Sequence, residues 1–96
     1  MTLNEGFSVK SDGSYRHSGI LKVLDCAIRS SSSFNGNTYI GTLSADAKPR
    51  GNYAFFAYNN GKLVYVTLYG TGGIQIDTFG NNVPADTNIW IRALYV

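Results

Sequence analysis

The chain has 96 residues, eight basic and six acidic, with a formal net charge of +2, one cysteine (Cys26) and one histidine (His17). That length holds one domain. The thin, scattered charge excludes a basic stripe for a nucleic-acid backbone. A lone cysteine and a lone histidine exclude an internal disulfide and a His/Cys metal set.

Residues 1–18 read as a strand and loop, "GFSV" then "KSDGSYRHSG", leading into one β domain over 19–96. The opening "MTLNEGFSVK" has no charged leader followed by an apolar block, so no signal peptide is expected. No apolar run approaches the roughly 20 residues that cross a bilayer, so no membrane insertion is expected. "ILKVLDCAIR" (20–29) carries two periodicities. Leu21, Leu24 and Ile28 have helical spacing, whereas Ile20, Leu24, Cys26 and Ile28 share one strand face. The flanking "SG" and "SSSS" favour a strand, with Cys26 a small buried apolar side chain.

Runs rich in β-branched and aromatic residues follow at 38–43, 53–58, 62–69, 73–79 and 88–96, punctuated by Gly, Ser and Asn. That rhythm predicts an all-β fold, a compact antiparallel β-barrel or jelly-roll-like sandwich. Asn60-Gly61 predicts a tight hairpin, because both central residues of a type I′ turn need positive φ. "GTGG" (70–73) is a further turn, and Pro84 makes 81–86 a loop.

The last strand is apolar on both sides. Ile89, Ile91, Ala93 and Tyr95 share one face, and Trp90, Leu94 and Val96 flank Arg92 on the other. A strand facing water on one side alternates apolar with polar, so the second face is expected to be covered by further copies of the chain. A domain this short buries only about 60–65% of its unfolded surface, and association is a usual remedy.

Candidate binding residues are aromatic and polar. Seven tyrosines, one tryptophan and nine asparagines suit a saccharide, whose C–H faces pack on flat rings while planar polar groups reach its hydroxyls. Trp90 is either core or a stacking surface, with Arg92 a fork-like donor two residues on. Asp77 is expected to pair with Arg92 across strands, or else to accept sugar hydroxyls. His17 reads as a solvated loop residue with ligand contact as its sharper role. Tyr58 and Tyr65 flank the predicted hairpin and present rings or pack across it. No nucleophile motif, phosphate loop or paired carboxylates are visible, so no enzyme activity and no cofactor are expected.

"IGTLSADAKPR" (40–50), "GGIQI" (72–76) and "NIWIRALYV" (88–96) together resemble the C-terminal head domains of bacteriophage receptor-binding and tail-fibre proteins, those of phages of lactococci and related Gram-positive hosts being nearest in size. Ser44 stands where the family has proline. The resemblance implies a homotrimeric head at the virion's tail tip or baseplate that binds host surface polysaccharide. Other baseplate or tail proteins would be met through shoulder and neck segments outside this sequence. Competing classes are a virion decoration module, a carbohydrate-binding module, a small glycan hydrolase and a trimeric C1q/TNF-like ligand.

Overall fold

The computed structural model describes residues 1–10 and 15–96. The described residues form nine strands: β1 (Thr2–Leu3), β2 (Phe7–Val9), β3 (Tyr15–Ser18), β4 (Leu21–Ser30), β5 (Asn37–Thr42), β6 (Tyr53–Asn59), β7 (Lys62–Leu68), β8 (Gly73–Asp77) and β9 (Ile89–Tyr95). One antiparallel sheet in the order β1-β5-β8-β7-β6-β9-β4-β2, with β3 also on β4, curls into a nearly closed barrel. The ambiguous segment at 20–29 is strand from Leu21 on, whereas Ile20, expected to share a strand face with Leu24, Cys26 and Ile28, lies in the preceding turn and is exposed. The loop expected at 10–19 contains β3, whose Tyr15 and Ser18 lie opposite Leu24 and Leu21 of β4. His17 is therefore a strand residue and not a loop residue. The rest of that expected loop, 11–14, lies outside the described residues.

Period-two alternation fills the barrel. Leu24, Ile28, Val64, Val66, Leu68, Ile74, Ile76, Ile89 and Ile91 point inward and are buried. Cys26 is buried among them, and burial pushes its thiol up to about 11, with Asp25 adding to the rise.

The two ends of the sheet are joined by one short stretch. β1 pairs with β5 and β2 pairs with β4, so the turn at 4–6 bridges opposite edges of the sheet. A register shift in β5 between Tyr39 and Gly41 accompanies this bridge. Asn4 donates from its backbone to the Ile40 carbonyl at 2.8 Å and from its side chain to the Tyr39 carbonyl at 2.9 Å. On the other side the Ser31 amide donates to the Gly6 carbonyl at 2.7 Å. Gly41 permits the approach, since a Cβ there would stand 2.5 Å from the Thr2 carbonyl oxygen.

One barrel end is capped by the 3-10 turn Ala45–Ala47. Tyr15 Oη donates to the Asp46 carbonyl (2.7 Å), Tyr95 Oη to the Ala47 carbonyl (2.6 Å) and Lys22 Nζ to the Lys48 carbonyl (2.7 Å). Three consecutive carbonyls thus accept from β3, β9 and β4. The cap also adjoins the seam between β6 and β9, where one backbone pair, Tyr58 opposite Trp90, joins the two strands. Beyond that bridge, the Tyr53 and Tyr95 rings stack at 5.7 Å and the Arg50 amide donates to the Val96 carbonyl. Burial, then the nearby Tyr15 and Asp46, push the Tyr95 hydroxyl up to about 12.

Two outcomes are expected. Gly41→Ala displaces β1 and leaves the N-terminal segment sensitive to protease, while a glycine with open surroundings such as Gly51 tolerates alanine. The fold holds protons on Cys26 and Tyr95 that the unfolded chain loses from about 9.0 and 10.0. Stability is therefore fully present below pH 9 and falls as pH rises toward 12. Urea midpoints measured across that window show the decline, and Tyr95→Phe removes its upper part.

Candidate functional site: an aromatic outer face

The same alternation that fills the barrel sends the other half of each strand outward. β6 presents Phe56 and Tyr58, β7 presents Leu63 and Tyr65, and β9 presents Trp90, Arg92 and Leu94. Tyr58 lies opposite Leu63 on one side and Trp90 on the other, so three large side chains form one row. Tyr58 and Trp90 are each 51% exposed, which removes Trp90 from the core.

Phe56 lies opposite Tyr65, with ring centroids 5.2 Å apart. Phe79, just beyond β8, sits 6.3 Å from Phe56 and 6.0 Å from Tyr65, completing a triangle of rings. Its left-handed backbone (φ 53°) is held by its own amide donating to Asp77 Oδ1 at 2.9 Å. Asp77 therefore positions a ring. The expected Asp77–Arg92 pair does not form, because β7 and β6 stand between β8 and β9.

Arg92 instead meets Asp25 of β4, its cross-strand partner, with Nε 3.5 Å from Oδ1. The contact is long and open to solvent, so it contributes little to stability. It acts as a divider. On one side lies Trp90 over Ala27; on the other, Leu94 stands opposite Val23. Leu94, Val96 and Leu21 are all exposed, making a second, aliphatic patch toward the capped end.

Across β5 and β8 the outer face becomes mixed. Tyr39 and Tyr69 lean over Gly73 with centroids 5.8 Å apart, and Tyr69 Oη donates to Gln75 Oε1. The two rings shield a glycine that has no side chain of its own, a known way to stabilise a strand. Hydrogen bonding with Tyr39, and then desolvation, raise the Tyr69 hydroxyl. Asn37 lies opposite Asp77, and Tyr39 opposite Gln75. Rings thus border amide and carboxyl groups on one continuous surface.

Of the residues singled out from sequence, Trp90, Tyr58 and Tyr65 share this face, Arg92 borders it and Asp77 supports it. His17 is elsewhere. It lies opposite Lys22 on the far side of β4 from β9, stacked on Tyr15 at 5.9 Å. Phe56, Leu63 and Phe79 were not among the expected site residues. Phe56 was legible, since it shares the period of Tyr58 in "YAFFAY"; Phe79 depends on a left-handed turn that the residue type disfavours. Among the described residues no three His, Cys, Asp or Glu side chains group to hold a metal ion. Compared with known proteins, the sequence matches no family model and no curated protein.

Trp90 is the only tryptophan, so its fluorescence reports on this face alone. The emission is expected at the long wavelength of a partly wet indole and to be quenched by acrylamide in the native state. A blue-shifted, unquenchable signal would put the ring in a covered position and remove Trp90 from the accessible surface.

Proposed function

We propose that the chain is the receptor-binding head of a bacteriophage tail, a homotrimer that holds a host surface saccharide without covalent chemistry. The row Trp90–Tyr58–Leu63 beside the Phe56–Tyr65–Phe79 triangle carries this reading, because a contiguous exposed aromatic surface on a small domain marks a binding surface. Sugar rings stack on Trp90 and Tyr58. Their hydroxyls turn to the Tyr65 and Tyr58 oxygens and to Arg92 at the border. The resemblance of residues 40–50, 72–76 and 88–96 supports the placement at the tail tip.

The aliphatic patch of Leu94, Val96 and Leu21 has a different task in this proposal. It lacks polar tips and suits sister copies, leaving the aromatic patch beyond the Arg92–Asp25 divider facing outward. Three weak sites per trimer, and several trimers per tail, then act through effective concentration.

The hydroxyl-free Phe56, Phe79 and Leu63 favour one rival, a virion decoration module whose rings meet protein. Binding to intact host cells separates the two, since a decoration module stays in solution.

In pull-downs with host cell-wall polysaccharide and on a glycan array, the wild-type chain is expected to be retained. Trp90→Ala and Tyr58→Ala are each expected to weaken retention roughly tenfold. Light scattering is expected to give a trimer, and Leu94→Ser a folded monomer. A wild-type chain that retains no saccharide ends the proposal, and a single-copy particle at micromolar concentration ends its trimeric part.

A further inference from the structure

Two Asn-Gly dipeptides occur in the chain, Asn35-Gly36 and Asn60-Gly61. Asn-Gly is the dipeptide most open to spontaneous deamidation, because glycine leaves its amide nitrogen unhindered by a Cβ. The two are closely matched in several respects. Both asparagines are exposed. Both glycines have nearly the same positive φ, 82° and 83°. Neither glycine is crowded: a Cβ would meet nothing within 4 Å at Gly36 and only Tyr58 Oη, at 3.9 Å, at Gly61.

They differ in how the glycine is held. The Gly36 amide donates to Thr78 Oγ1 at 2.7 Å, and the Gly36 carbonyl accepts from the Thr78 amide at 3.2 Å. Thr78 is itself fully buried. Among the described residues, the Gly61 amide has no hydrogen-bond partner. It sits at the tip of the β6–β7 hairpin, between Asn59 and Lys62. The nucleophile is tied down at one site and free at the other.

We infer that Asn60 is a built-in site of spontaneous modification, and that the Thr78 clamp protects Asn35 from the same reaction. The deprotonated Gly61 nitrogen attacks Asn60 Cγ. A nitrogen–carbon bond forms, the bond from Cγ to Nδ2 breaks, and ammonia leaves with the proton that Gly61 gave up. Water then opens the cyclic imide at one of its two carbonyls, leaving aspartate or isoaspartate. Nothing but water is consumed.

The position gives the reaction consequences. A neutral amide becomes a carboxylate, so the net charge of +2 loses one and becomes +1. Isoaspartate also lengthens the backbone by one carbon at the tip of a hairpin closed by Asn59 opposite Lys62, with Tyr58 opposite Leu63 the next pair. The change therefore loosens one edge of the aromatic face and ages the binding surface. This inference does not rest on the saccharide reading, since the chemistry needs no ligand.

The test follows the native protein at mildly alkaline pH by mass spectrometry of tryptic peptides 51–62 and 30–50. Deamidation is expected in 51–62 ahead of 30–50, by on the order of tenfold, because the clamped amide must first open. In concentrated urea the two rates converge. Asn60→Asp keeps a residue that tolerates positive φ, puts no glycine after Asn59, and abolishes the mass gain in 51–62; Thr78→Ala speeds deamidation in 30–50. Any of several results overturns the inference. They are Asn35 reacting as fast as Asn60 in the folded protein, a rate gap that persists in urea, a mass gain in 51–62 that survives Asn60→Asp, and Asn60 outlasting the unfolded control.

Discussion

A sheet that curls on itself treats its two faces unequally, and this asymmetry governs the molecule. The inner face closes on its own side chains, so Leu24, Val66, Ile74, Ile76 and Ile91 need nothing from outside. Among the described residues the outer face has no second layer. In a sandwich it would be polar; here β6, β7 and β9 are apolar on both faces, so rings and aliphatic groups stand in water. The fold itself does not require those outward residues.

Closing the barrel takes two local devices. The N-terminal stretch ties β5 to β4 through five short strand residues and the turn at 4–6, which works only because Gly41 lets the chain come close. The capped end substitutes backbone carbonyls for a missing ladder. A single backbone pair, Tyr58 opposite Trp90, joins β6 to β9, and beside that seam Tyr15, Tyr95 and Lys22 hold the carbonyls of Asp46, Ala47 and Lys48 while the Arg50 amide donates to the Val96 carbonyl. That same pair places Tyr58 beside Trp90, so the seam the cap adjoins is also where the candidate site begins.

The strands were legible from sequence because period-two alternation and turn residues are local signals. Asn60-Gly61 adopts the positive φ values that the dipeptide implied. What escaped was pairing between strands distant in sequence. Asp77 and Arg92 looked like partners because their strands are consecutive apart from a loop, yet the order of the sheet puts β7 and β6 between them. β3 was hidden among the polar residues of "YRHS", where an edge strand on β4 needs no apolar face. Phe79 was expected within the strand run 73–79 but lies in the turn after β8, because a side-chain acceptor, Asp77, stabilises a backbone conformation that phenylalanine rarely takes.

The shape of the outer face limits what it can do. A deep pocket surrounds a small ligand and concentrates affinity there. The outside of a barrel is convex, so a ligand laid across Trp90, Tyr58 and Tyr65 touches protein on one side and water on the other. Each contact gains ring-stacking energy while the cost of losing translational freedom stays the same, and a single site is therefore weak. Weak sites suit a molecule that must sample a surface before committing to it, provided several copies engage together. Under the proposed function, a convex aromatic face and an adjacent aliphatic patch would belong to one design, the second supplying the copies that make the first effective.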